Sequence, residues 1–264
     1  PIDELVEVRG IGPAKATQVK AAFELGKRLN GNHKTAEPFV KWAGGKSQLL
    51  DQYSSLFPPQ YKKYIEPFVG GGAVFFYLKP TNAILGDLNK DLIECYTVIK
   101  DKVRRLIDVL KGYQKSHSKD FYLELRDRYN KNYLSKIERV GAFIYLNKTG
   151  FNGLHRVNSK GEFNVPFGNH KNPSIFDEDN LLAVSKLLKN TNIYAMSFEK
   201  VLDHAEAEDF IYFDPPYYPL NTTSKFTNYT KDSFLEKEQE RLAEVFRTLG
   251  ERGCKVMLSN SNTD

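Results

Sequence analysis

Cysteine is scarce in this chain: Cys95 and Cys254 are the only two among 264 residues, far apart and in no CxxC pairing. A disulfide framework and a thiolate metal site are therefore not expected, and a reducing, cytosolic setting is. The five histidines include no HExxH or similar pair, so no catalytic metal is expected either. No apolar stretch approaches the roughly 20 residues of a membrane span, and no signal-peptide pattern opens the chain. Internal repeats and low-complexity tracts are missing too. Against these absences stand 41% hydrophobic and 13% aromatic residues, enough to build one large domain, alone or with an appendage.

The charge balance is modest, with 38 basic against 33 acidic residues. Its distribution is more telling. Between Tyr129 and Lys171 the basic residues are Lys131, Lys136, Arg139, Lys148, Arg156, Lys160 and Lys171, against only Glu138 and Glu162. Aromatic and amide side chains are interleaved there, a mixture that suits a polyanion carrying stackable bases. A solvated loop face is the other reading of the same stretch.

Residues 1–30 read as a separate unit. Val8-Arg9-Gly10-Ile11-Gly12-Pro13 precedes an amphipathic pattern at Val19, Ala22, Phe23, Leu25 and Leu29. The glycines allow a tight turn between two helices, and Pro13 suits the first turn of the second. Such a hairpin either meets DNA phosphate through backbone amides or serves only for packing. The segment resembles the helix-hairpin-helix of RadC-type proteins. Residues 31–36 are polar and aperiodic, a linker.

From Glu37 onward the pattern is α/β. Strands are expected at 64–69, 83–87, 192–196, 209–213 and 255–259. Helices are expected at 73–78, 92–99, 101–113, 118–146 and 232–250, with irregular loops at 147–175 and a hairpin around Ser159-Lys160-Gly161. Pro1 opens the chain without a methionine, and Asp264 closely follows an apolar run. Both ends read as cut from something longer.

Three motifs carry chemistry. Asp214-Pro215-Pro216-Tyr217 stops the strand-like run Phe210-Ile211-Tyr212-Phe213, holding an acid and a ring on a stiff turn at a strand's carboxyl end. Asp214 and the carbonyl of Pro215 suit the two hydrogens of a conjugated amine, and Tyr217 suits the flat ring that bears it. Glu66-Pro67-Phe68-Val69-Gly70-Gly71-Gly72 is a strand entering a glycine turn, where a ligand can lie against bare backbone. Asp87 follows at the end of the next strand, the usual place for an acid on ribose hydroxyls. That spacing fits a dinucleotide as well as an adenosine cofactor, although GGG departs from GxGxxG. Lys41-Trp42-Ala43-Gly44-Gly45-Lys46-Ser47 is not a phosphate loop, because Val40 stands where GxxxxGK[ST] needs glycine. A tryptophan, a turn and a lysine can instead hold a small zwitterion, with Lys46 toward its carboxylate. Trp42 equally suits a core position.

Together and in this order, these strings closely resemble the DNA adenine-N6 methyltransferases of the Dam and DpnM type over about residues 37–264. The resemblance implies a Rossmann-like class I methyltransferase sheet with an inserted, mostly helical and loop target-recognition domain. The catalytic domain would be 37–114 plus 176–264, and the recognition domain 115–175. It implies S-adenosylmethionine as cofactor, held by Trp42, Lys46, Glu66, Phe68, Gly70, Gly72, Asp87 and Asp214. Phe198 would pack on the cofactor's adenine by family position, although it reads equally well as core. Asp214, Pro215 and Tyr217 would hold an adenine flipped from duplex DNA.

A further string, Asn147-Lys148-Thr149-Gly150-Phe151-Asn152-Gly153-Leu154-His155-Arg156 with Gly161–Gly168, resembles the recognition region of enzymes that modify GATC. By that match Phe151 would wedge into the base stack, and Asn152, Leu154, Arg156 and Pro166 would face base edges. Lys41 would contact a base or phosphate beside the target. At Asn169 and His170 some relatives carry arginine and tyrosine, so the chain departs from the pattern there. The family fold continues beyond a fifth strand, which implies a missing sheet edge here. The expectation is therefore a monomeric DNA (adenine-N6)-methyltransferase. The alternatives are an N6-adenine RNA or glutamine-amide methyltransferase, or a shortened, inactive DNA-binding chain.

Overall fold

The computed structural model describes residues 15, 18, 34–42, 44–46, 50–170, 172–216, 234 and 236–259. Contacts divide the chain into two compact units, Pro1–Thr35 and Ala36–Asp264. The helix-hairpin-helix expected over 1–30 lies outside the described residues, apart from Lys15 and Gln18.

The second unit is built on five strands: β1 (Tyr64–Glu66), β2 (Ala83–Asp87), β3 (Thr191–Ala195), β4 (Phe210–Phe213) and β5 (Lys255–Leu258). Their order is β3-β2-β1-β4-β5, and every pairing is parallel. The chain therefore reverses its direction of travel across the sheet between β1 and β4. In an open parallel sheet that reversal opens a crevice at the carboxyl ends of the strands. The apolar strand runs follow from this architecture, because a parallel sheet is covered on both faces.

Successive side chains of a strand point to opposite faces, and the core divides accordingly. Tyr64, Leu85, Phe210 and Tyr212 join one cluster with the long helices. Ile65, Ile84, Ile211 and Phe213 join the other, with Leu242, Val245 and Leu249 of the last helix.

Seven α-helices are described in this unit: α1 (Leu50–Tyr53), α2 (Ala73–Leu78), α3 (Lys90–Lys115), α4 (Lys119–Asn130), α5 (Lys136–Thr149), α6 (Glu178–Leu187) and α7 (Glu236–Glu251). Asn89 caps α3 by accepting from the N–H of Leu92, and Ser118 caps α4 through Phe121. The two helices expected at 92–99 and 101–113 are joined end to end in α3, with a kink at the non-helical Lys102 (φ −138°) close to the expected break. Continuous apolar spacing on both sides of Lys102 keeps the rod packed through that irregularity. Conversely, the helix expected over 118–146 is broken between Asn130 and Lys136, where Asn132 takes φ 56°. The first strand stops at Glu66, since Pro67 begins a turn.

Helix α5 runs along α3, joined by a bidentate contact from Arg139 to Asp91 at 3.0 and 3.1 Å. The Arg139 guanidinium also lies 4.1 Å from the centre of the Tyr129 ring on α4. Arg139 thus ties α5 to both α3 and α4.

Candidate active site

The carboxyl ends of β1, β2 and β4 each deliver a carboxylate, since Glu66 and Asp87 end their strands and Asp214 follows Phe213. Glu66 is buried and accepts from the Tyr64 hydroxyl at 2.9 Å. Burial pushes its carboxyl well above the usual carboxylate range, with the Tyr64 hydroxyl opposing. Asp87 accepts from the N–H groups of Asn89 (2.8 Å) and Gly70 (3.1 Å). Burial lifts its carboxyl to about 6 even against those amides. Three acids at one end of a sheet, Glu66 buried and Asp87 and Asp214 half-buried, are costly to fold around, and they suit a ligand rich in positive charge and hydroxyl donors.

Between Glu66 and α2 the chain turns through glycines. Gly70 has φ 47°, and a Cβ there would lie 2.7 Å from the Trp42 ring. Trp42 thus closes over bare backbone, while the Tyr96 hydroxyl fixes the turn by donating to the Gly70 carbonyl at 3.0 Å. Neighbouring Phe68 is half-buried and stacks on Phe198 at 5.4 Å and 26°. Phe198 is only 4% exposed, and the Arg241 guanidinium lies 5.9 Å from the centre of its ring.

Lys46 is buried, and its ammonium donates to both oxygens of Asp214, at 2.7 and 2.9 Å, and to the Gly44 carbonyl at 3.0 Å. The charge expected to meet a ligand carboxylate instead rests on the acid of the proline turn. Burial raises the Asp214 carboxyl above its usual range, and Lys46 pulls it back. Pro215 is buried beside it, and Tyr217 lies outside the described residues.

The recognition string begins where α5 ends. Phe151 is 51% exposed, and Asn152 is held at φ 55°. Leu154 is half-buried, Pro166 is exposed, and the Pro166 carbonyl accepts from the N–H of Phe151 at 2.9 Å. The expected hairpin is present: Asn158 N–H donates to the Glu162 carbonyl, and Val157 bridges Phe163. Its returning strand is pinned to α4, where Tyr122 donates to the Val165 carbonyl and Asn130 pairs with the backbone of Phe163. Arg156 is braced by Asn164, its Nε donating to Oδ1 at 2.8 Å. Lys41 is exposed beside Gly153.

Two residues that join these parts stand in the recognition string but drew no role from it. Asn147, fully buried on α5, bonds the backbone of both Lys41 and Gly153. His155 stacks on Trp42 at 5.6 Å and 26°, and burial lowers its ring to about 4, keeping it neutral. Beyond its place at the head of that string, the sequence marks Asn147 only as the first polar residue after the apolar run Val140–Leu146 of α5.

Residues 42–264 match the family model described as D12 class N6 adenine-specific DNA methyltransferase. The chain is 52% identical over 243 residues to the type II methyltransferase M.MjaIII of Methanocaldococcus jannaschii, covering 85% of this chain and 84% of that protein. It is 45% identical over 240 residues to the type II methyltransferase M1.LlaDCHI of Lactococcus lactis subsp. cremoris (89% and 84%). To the DNA adenine methylase of Escherichia coli K12 it is 37% identical over 227 residues (85% and 81%).

Proposed function

The chain belongs to the D12 class of N6 adenine-specific DNA methyltransferases, and from that membership we propose how its residues divide the reaction and that GATC is the site they modify. Its reaction is transfer of a methyl group to N6 of adenine in DNA, and the family implies S-adenosylmethionine as donor. The observation that carries the assignment is the meeting of Asp214, Lys46 and the glycine turn in one crevice.

S-adenosylmethionine, when bound, supplies a methyl group activated by a sulfonium. The donor set suits such a group: Trp42 covers Cβ-free backbone at Gly70, and Glu66 and Asp87 can accept from ammonium and hydroxyl groups. Lys46 reaches the same end and can meet a carboxylate once released from Asp214. Phe68, stacked on Phe198, offers a flat wall for a purine, with Phe198 as its backing.

Adenine N6 is a weak nucleophile because its lone pair is conjugated with the ring. Asp214 and the Pro215 carbonyl would accept the two amine hydrogens and draw that lone pair toward the methyl carbon. Asp214 orients and polarises rather than acting as a strong base; alignment supplies most of the acceleration. Reaching it requires the base to leave the duplex, and Tyr217 would stack on it there. Phe151, the most exposed ring of the recognition loop, would fill the gap in the stack. Asn152, Leu154, Arg156 and Pro166 would read base edges and Lys41 a neighbouring base or phosphate, with arginine on guanine the strongest direct contact.

The test is digestion of DNA from expressing cells with a nuclease blocked by N6-methylation in GATC. Protection is expected with the wild-type chain and none with Asp214→Ala, although that variant still binds duplex. Methylated adenine found outside GATC would replace the site; protection by Asp214→Ala would sink the mechanism.

A further inference from the structure

Two asparagine side chains grip the amino-terminal part of the catalytic unit in the same way. On α6, Asn180 accepts from the N–H of Glu37 at 2.8 Å and donates to its carbonyl at 3.1 Å. On α5, Asn147 accepts from the N–H of Lys41 at 2.8 Å and donates to its carbonyl at 2.9 Å. Each amide imitates the rung that a neighbouring strand would supply. Asn147 then does something Asn180 does not. Its second amide hydrogen goes to the Gly153 carbonyl at 3.0 Å, in the middle of the recognition string.

Other contacts run through the same point. Gly153 has φ 64°, and a Cβ there would collide with the methylenes of Lys41. The next residue, Trp42, lies over Gly70 and Gly71 on one side and stacks on His155 and Phe143 of the recognition region on the other. Residues 41 and 42 therefore touch both the glycine turn and the DNA-reading loop. Asn147 fixes the Lys41 backbone, directly before Trp42, to that loop, fully shielded from water.

We infer that Asn147 is a positioning residue that couples the recognition loop to the cofactor crevice, so that binding of the target duplex and of S-adenosylmethionine reinforce one another. The inference rests on the functional reading above. Its physical basis is that a buried amide with its acceptor and both donors engaged cannot follow one segment without the other. A loop ordered by DNA brings Lys41 and Trp42 with it, and linkage requires the converse to hold equally.

The experiment is calorimetric titration of the full chain with S-adenosylmethionine, with and without a duplex bearing the sequence it methylates. In the wild type the duplex is expected to tighten cofactor binding about 5- to 20-fold. In Asn147→Ser that factor should fall to within about twofold of unity. Asn180→Ser loses the same two-bond grip elsewhere, so it should lower Tm comparably while keeping the wild-type factor. Gly153→Ala, which drives a methyl group into Lys41, should also cut the factor, and it stands in if Asn147→Ser does not fold. Wild-type coupling in Asn147→Ser, or in Gly153→Ala in its stead, would overturn the inference, as would equal loss in Asn180→Ser. A wild type that binds both ligands independently overturns the coupling alone. One that binds no cofactor overturns the functional reading, and the inference with it.

Discussion

At the scale of single residues, Asp214 faces two opposed demands. It must be ionised to accept hydrogen bonds from an amine, yet it is withdrawn from water, which favours the protonated acid. Burial is the larger effect on its carboxyl, and Lys46 opposes it. Replacing Lys46 by methionine keeps the aliphatic stem and removes the charge, so the Asp214 pKa should rise further. An acid that works ionised loses activity as pH falls through its pKa. The acidic limb of the kcat/KM profile, which reports the free enzyme in which Lys46 still holds Asp214, should therefore move to higher pH in Lys46→Met, with a larger loss at pH 6 than at pH 8.5. A limb that stays in place, or moves down, would refute the role given to the pair. Both partners were legible as motif residues, but their contact was not, because 168 positions separate them and only the fold closes that distance.

Among elements, the hairpin at 157–163 and its return to Phe167 depend on α4 for register. Tyr122 and Arg126 both donate to the Val165 carbonyl, and Asn130 pairs with Phe163 in both directions. The hairpin in turn carries the brace for Arg156, whose Nε donates to Asn164. A braced guanidinium loses less entropy on meeting a guanine edge. Arg156→Ala should cost roughly 1–3 kcal/mol of discrimination, about 5- to 150-fold. Comparing kcat/KM on duplexes that differ only at the guanine would reveal it, and an unchanged preference would reject the assignment. The hairpin around Ser159-Lys160-Gly161 could be read directly because glycine and asparagine mark turns by their own backbone freedom, whereas the role given to the string rests on the resemblance. Asn147 could not be read so. A single buried amide that closes an apolar run looks like the start of an ordinary polar helix end, and its partners at 41 and 153 are set by packing. The kink at Lys102, by contrast, falls close to the break expected between residues 99 and 101.

Over the whole molecule, the sheet was legible for a physical reason: strands covered on both faces must be apolar throughout, and Phe210–Phe213 is buried at every position. Their order is not a property of any single strand. The likeness implied only a Rossmann-like sheet, and the pairings show a parallel sheet in the order β3-β2-β1-β4-β5. Phe210 shows how function and stability separate here. It is buried against Phe57, Tyr61 and Tyr64, with ring centres 5.6–6.1 Å away, on the face shared with the long helices. Phe210→Ala should cost about 3–5 kcal/mol, lowering Tm by roughly 6–20 °C for a chain of this size. Well below that transition kcat should stay within about twofold, because Asp214 lies at the other end of the strand. A large loss of kcat at low temperature would mean that the core sets the catalytic geometry directly.

The parallel pairing of β1 with β4 has a consequence for synthesis. Tyr64 pairs with Phe210, and the inserted helices and hairpin lie between them in the chain. At about 5–20 residues per second, β4 leaves the ribosome some 7–30 s after β1. Throughout that interval the centre of the sheet lacks its partner, and one edge of β1 is unpaired. The insertion can fold first and on its own contacts, whereas the catalytic crevice cannot exist before β4 is made. Conditions that shorten the wait, or a chaperone that covers that edge, should govern the yield of active protein more than its final stability does.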